Sequence, residues 1–115
     1  MKDEIISGEI YWVSFAPSVG HEYQGRRPAV VIQSDASLKR TNLVTVMPLT
    51  SQIGKPHGDD ILVKATAQNK LYGDSLVKAH HVESFDRSRF IKKIGVLEED
   101  NMLKIRSYLK SHFGI

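Results

Sequence analysis

The chain contains no cysteine. That absence excludes disulfides, thiolate metal sites and a thiol nucleophile, and it fits a cytoplasmic protein. Long apolar runs are missing too. Nothing approaches the roughly 18 residues that would span a bilayer, so no membrane association is expected, and Met1-Lys2-Asp3-Glu4 carries no pattern of a secretory signal. Internal repeats, low-complexity tracts and blocks of like charge are equally lacking. The 115 residues therefore read as one domain, 1–115, large enough to bury a core without staples. Aromatics make up only 8% of the chain. Three of them, Tyr11, Trp12 and Phe15, crowd into one stretch, where core packing and stacking on unpaired bases are both open.

Charge is present in moderation. Lys and Arg number 16 against 13 Asp and Glu, a net of +3, with an isoelectric point near 9.2. This balance permits nucleic-acid binding without requiring it. The distribution says more, because Arg26, Arg27, Lys39, Arg40, Lys55 and Lys78 all fall in or beside expected loops and strand ends.

Periodicity organises the rest. Gly8 to Phe15 reads as a first strand, ended by Pro17 and Gly20, and a loop follows to about Gly25. Pro28 opens a second, apolar strand over Ala29 to Gln33. Ser34 to Arg40 suits one or two helical turns capped by Ser34 or Asp35. Leu43 to Thr50 is a third strand, in which Pro48 marks an edge or a bulge. Ser51 to Gly58 is a loop. Asp60 to Lys64, Leu76 to Val82 and Phe90 to Gly95 complete the strands. From Leu97 the period changes: Leu97, Met102, Ile105 and Leu109 recur at helical spacing, with acids in the first turn and Lys110 and His112 in the last, matching the helix dipole. The outcome is a mostly β, α+β domain, a small barrel with a C-terminal amphipathic helix.

Several side chains can carry chemistry. Arg27 precedes Pro28, so its backbone is held extended beside a strand, and a positioned guanidinium clamps a phosphorane-like transition state. A surface ion pair explains an arginine equally well. Thr50 ends the third strand beside a Gly/Pro loop, where its hydroxyl can donate to a phosphate oxygen. His21 lies in a polar loop next to Glu22, suited to acid–base work or simply solvated. Lys78 and His80 are two apart on an expected strand and so share a face, with His81 opposite. Together they can protonate a leaving oxygen and deprotonate a hydroxyl; a solvated sheet face gives the same pattern. A metal pair at His80-His81 is rejected, because adjacent strand residues point apart and no carboxylate lies at ligand spacing. No metal and no cofactor are expected.

Several short motifs occur in a specific order: Gly8-Glu9-Ile10-Tyr11-Trp12, Pro17 with Gly20-His21-Glu22, Gly25 with Arg27-Pro28-Ala29-Val30-Val31, Pro48-Leu49-Thr50-Ser51, and Val82-Glu83-Ser84-Phe85-Asp86. In that order and spacing, from Gly8 to about Leu109, they resemble the MazF/PemK/Kid toxins, the ribonuclease half of bacterial type II toxin–antitoxin pairs. The resemblance implies an SH3-like small barrel of the CcdB/MazF type, a homodimer, and metal-independent, sequence-specific cleavage of single-stranded RNA by an mRNA interferase. In that chemistry the ribose 2′-hydroxyl attacks the adjacent phosphate, leaving a 2′,3′-cyclic phosphate and a 5′-hydroxyl. Arg27 matches the family's catalytic arginine, Thr50 its strand-end threonine, and His21 the loop histidine of some members. A loop from Ala16 to Arg26, with Glu22, Gln24 and Arg26, is then expected to close over RNA. Ser51, Gln52 and Lys55 of the next loop would help choose bases, and Lys78 would meet the backbone. The implied partner is a cognate antitoxin, a small chain with an acidic tail.

One departure matters. Members often carry an acidic residue followed by Gln where this chain has His80-His81. The base then falls to His80, to His21, or to no side chain. Two other functions stay open at this point: a non-catalytic RNA-binding member, and a protein-target inhibitor like the gyrase-poisoning CcdB toxins, which share the fold.

Overall fold

Short β-branched runs broken by Gly, Pro and Asp turns form strands rather than helices. The computed structural model of the chain, described over residues 4–15 and 25–115, arranges them as a seven-stranded antiparallel sheet with the order β4-β5-β3-β2-β1-β7 and β6 also on β3. The strands are β1 (Glu9–Ser14), β2 (Arg26–Val31), β3 (Leu43–Thr50), β4 (Ile61–Val63), β5 (Ser75–Val77), β6 (Glu83–Asp86) and β7 (Phe90–Val96). Helix α1 (Asp35–Leu38) follows β2, and α2 (Glu99–Phe113) closes the chain. No helix among the described residues is long and apolar enough to cross a membrane.

Alternation along the strands divides the core in two. Ile10, Val30, Met47, Leu49 and Val77 pack with Met102 and Ile105 of α2 on one side. Tyr11, Val13, Ala29, Val31, Val44 and Val46 pack with Leu38 and Phe90 on the other. Two bulges against β7, at Ile10/Tyr11 and Trp12/Val13, shift the register of β1. Ser34 caps α1, its hydroxyl accepting from Ser37 N at 3.2 Å. Gly114, at φ 68°, ends α2 in the left-handed conformation that glycine adopts without strain.

Four local expectations change. Glu83–Asp86, not expected as a strand, forms β6 against β3. Pro48 stands at neither an edge nor a bulge: it pairs with Ala29, and its carbonyl accepts from Lys78 N at 2.8 Å. It sits where β3 passes from partner β6 to partner β5, a place where a missing N–H removes no ladder bond. Pro28 lies inside β2 rather than at its first residue, opposite Trp12. The expected strand over Leu76 to Val82 stops at Val77, because His81 N bonds back to Lys78 O at 3.0 Å and turns the chain.

Candidate nucleic-acid site

The β2–β3 ladder runs Val31↔Val46, Val30↔Met47 and Ala29↔Pro48. Continuing that register two residues along each strand brings Arg27 opposite Thr50, and cross-strand neighbours share a face. Both residues line one open pocket of about 650 Å³, together with Trp12, Arg26, Ser51, Gln52, Lys70 and Tyr72. Arg27 is half-buried and Arg26 exposed. The Thr50 hydroxyl accepts from Gln52 N at 3.2 Å. Its own hydrogen is thereby left to donate to a ligand oxygen, as a phosphate clamp requires.

The opposite wall of the pocket was invisible in the sequence. Residues 66–73 form an irregular loop held by Asn69, whose side chain is completely buried. Its Oδ1 accepts from Thr66 N at 3.0 Å and Leu71 N at 3.1 Å. Its Nδ2 donates to Lys64 O at 2.9 Å and Glu98 Oε1 at 3.0 Å. Thr66 Oγ1 donates to the other oxygen of Glu98 at 2.5 Å. Burial alone would raise the Glu98 carboxyl; the Thr66 and Asn69 hydrogen bonds outweigh it and hold the group below its ordinary value of 4.5. Fixed this way, the loop accepts Lys70 at φ 54° and presents Tyr72 fully to solvent at the pocket rim. Trp12, 40% exposed, lines the same pocket. Two accessible aromatics beside two arginines and a lysine suit unpaired bases and their phosphates. Tyr72 carried no functional signal in the sequence.

Lys78 and His80 do share a side, as their spacing suggests, but they lie outside this pocket and turn to a residue the sequence reasoning missed. Asp60, its side chain fully buried, binds Lys78 Nζ at 2.5 Å through Oδ2, while His80 Nδ1 lies 3.8 Å from Oδ1. The chain reaches Asp60 from 18 residues away, so spacing held no clue to it. His80 and His81 are also not on opposite faces. Both sit at the turn after β5, with ring centroids 4.3 Å apart. The premise of opposed rings therefore fails, and a carboxylate distant in sequence, Asp60, lies beside His80. Desolvation lowers the His80 pKa below 6.5, assisted by the neighbouring His57, and desolvation likewise lowers His81. Lys55 is exposed on the β3–β4 loop and does not line the pocket. His21, Glu22 and Gln24 fall outside the described residues.

Among the described residues the pocket is lined by no carboxylate and no imidazole. It offers positive charge, a hydroxyl and ring faces, which bind and polarise a phosphodiester but do not accept a proton near neutral pH.

Residues 6–113 match the family model for the PemK-like, MazF-like toxin of type II toxin–antitoxin systems. The chain is 32% identical over 113 residues to endoribonuclease MazF9 of Mycobacterium tuberculosis, covering 94% of this chain and 95% of that protein. Its fold superposes on crystalline MazF of Deinococcus radiodurans with a TM-score of 0.82 at 31% identity, over 99% of this chain and 100% of that one. It matches the MazE–MazF complex of the same organism with a TM-score of 0.74 at 28% identity, over 99% of each chain.

Proposed function

The chain belongs to the PemK-like, MazF-like toxins of type II toxin–antitoxin systems and is an endoribonuclease of that family, and we propose that it cuts single-stranded RNA at a short sequence motif without a metal at the scissile phosphate. The observation that carries this reading is the shared placement of Arg27 and Thr50 in the pocket between β2 and β3. Arg27 neutralises charge on the phosphate as the ribose 2′-oxygen attacks phosphorus. The Thr50 hydroxyl donates to a non-bridging oxygen. The bond from phosphorus to the 5′-oxygen breaks, leaving a 2′,3′-cyclic phosphate and a 5′-hydroxyl.

Arg26 and Lys70 meet the backbone, and Trp12 and Tyr72 stack on flanking bases. Ser51, Gln52 and Lys55, on the β3–β4 loop, contribute to base choice together with Glu22 and Gln24. Lys78 is committed to Asp60, so its part in RNA binding is indirect. For the proton acceptor we favour His21 over His80. His80 lies beside Asp60 and outside the pocket, and no described pocket residue can serve. The working form is a homodimer, and the partner is an antitoxin whose acidic tail covers the Arg26–Arg27–Lys70 surface, as MazE accompanies MazF in the Deinococcus complex.

The deciding assay incubates a long single-stranded RNA with protein in EDTA, beside Arg27→Ala, and sequences the product ends. Cuts at a recurring motif, surviving EDTA and slowed about 100-fold or more in the variant, are expected. RNA left intact by the folded wild type, or cut equally by Arg27→Ala, overturns the mechanism. His21→Ala beside His80→Ala separates the two candidate bases by which one flattens the pH profile.

A further inference from the structure

Asp60 carries an unsolved electrostatic problem. Its side chain is fully buried, and Oδ2 is satisfied by Lys78 Nζ and by His57 N at 2.7 Å. Oδ1 has no hydrogen-bond donor. His80 Nδ1 stands 3.8 Å away, beyond hydrogen-bond range. Leaving a carboxylate oxygen buried without a partner is costly. Beside that carboxylate stand two imidazoles. The rings of His57 and His80 lie 4.4 Å apart, tilted by 31°, and one donor atom each from His57, Asp60 and His80 falls within 4.8 Å of the other two.

We propose that His57, Asp60 and His80 bind a divalent transition-metal ion of the zinc type, which ties the β3–β4 loop to the turn after β5. Two imidazole nitrogens and one carboxylate oxygen, with no thiolate, select Zn²⁺ and its neighbours over Mg²⁺ or Ca²⁺. Ligands on a tetrahedral zinc at about 2.0 to 2.1 Å stand roughly 3.3 Å apart. The 3.8 Å between His80 Nδ1 and Asp60 Oδ1 is therefore half an ångström from that spacing. Lys78 and the His57 backbone N–H hold the second carboxylate oxygen, which aims Oδ1 at the rings as outer-shell bonds do for ligating carboxylates. The Lys78 charge opposes a dication, so the affinity is moderate. A fourth ligand position is left for water.

This site is distinct from the Arg27–Thr50 pocket, whose lining includes none of the three residues. Its effect reaches the pocket through the chain, because the loop that carries His57 begins with Ser51 and Gln52 of the pocket wall. That consequence rests on reading the pocket as the RNA site; metal binding itself does not.

The test uses tag-free, chelator-stripped protein titrated with Co²⁺ and followed by the visible absorption of the four-coordinate ion, then displaced with Zn²⁺ and counted by elemental analysis. Wild type is expected to take up a single equivalent per chain. His57→Ala and His80→Ala each weaken binding about tenfold or more, and His112→Ala binds as wild type. His57 is exposed, so its variant folds even if changes at buried Asp60 do not. No uptake by wild type overturns the site, as does equal uptake by the His57 and His80 variants, or a loss caused by His81→Ala instead of His80→Ala. Since the readout is the ion itself, a failure of RNA cleavage in EDTA would refute the reaction and leave this result standing.

Discussion

Replacing Asn69 by Ala removes four hydrogen bonds at once from a fully buried side chain. The bond from Leu71 N lies in the interior, and leaving that donor unpaired costs about 1–3 kcal/mol. The bond to the Glu98 carboxylate is charge-assisted, worth about 1.5–3 kcal/mol. Thr66 and Lys64 are exposed, so water takes over part of their bonds, and they add about 0.5–1 kcal/mol each. Water entering from the exposed side also softens the losses at Leu71 and Glu98. The expected loss is therefore about 3–5 kcal/mol, a large share of the 5–15 kcal/mol typical of a domain. Urea unfolding at fixed protein concentration measures it, since an oligomer's stability depends on concentration. A loss below about 1 kcal/mol would refute the idea that this knot holds the pocket's far wall.

The same change has a pH signature. In the folded protein the Glu98 carboxyl sits below its ordinary value of 4.5 because the Thr66 and Asn69 bonds overcome burial. A depressed folded pKa stabilises fully above the unfolded value, and that contribution fades as pH falls through the folded one. Wild type should thus lose stability on acidification below about pH 4.5. Without Asn69 one of the side-chain donors to Glu98 is gone, burial pushes the carboxyl back up, and this acid-dependent loss shrinks.

Gly95→Ala should destabilise by about 3 kcal/mol or fail to fold, because its Cβ would meet Asn69 O at 2.3 Å; thermal unfolding checks it, and an unchanged Tm would mean the two backbones separate easily. Tyr72→Ala should leave the unfolding midpoint unchanged, since the ring is fully exposed, yet weaken single-stranded RNA binding by about 1–3 kcal/mol; unchanged affinity in a polarisation titration would remove Tyr72 from the site. Ile105→Ala, at a position with no exposure, should cost about 2–5 kcal/mol of stability in a urea melt while the cleavage motif stays the same.

Where residues near in sequence cooperate, the chain was readable. The β3 strand falls at Leu43–Thr50 as its alternation indicates, and Ser34 caps α1. Of the stripe Leu97, Met102, Ile105 and Leu109, Met102 and Ile105 are buried on α2 and Leu109 is half-buried, while Leu97, also buried, precedes the helix. Arg27 and Thr50 are legible because each abuts a strand whose register aligns them. What escaped depends on contacts across long separations. Asp60 reaches Lys78 over 18 residues, and Asn69 reaches Glu98 over 29. No spacing rule links such pairs. The His80-His81 error has a local cause: strand periodicity was carried one turn too far, past the Lys78 carbonyl that ends β5.

On the proposed reading, two clusters divide work that the sequence had assigned to one site. Lys78 and His80 look like a donor and a base until Asp60 is placed beside them; a buried carboxylate then takes the ammonium, and the imidazole lies against the ring of His57. The pocket retains cations, a hydroxyl and two aromatics, enough to grip RNA and stabilise charge. Positioning and electrostatic stabilisation alone account for large accelerations when the nucleophile is already part of the substrate, as a 2′-hydroxyl is. A measured comparison follows: Thr50→Val keeps shape and removes the donor, so the cleavage rate should fall about 100-fold while RNA affinity changes little. His80→Ala should alter the rate far less than Thr50→Val. If the reverse order is found in single-turnover assays, the His80 imidazole reaches the reacting phosphate after all and the division of the two clusters is wrong.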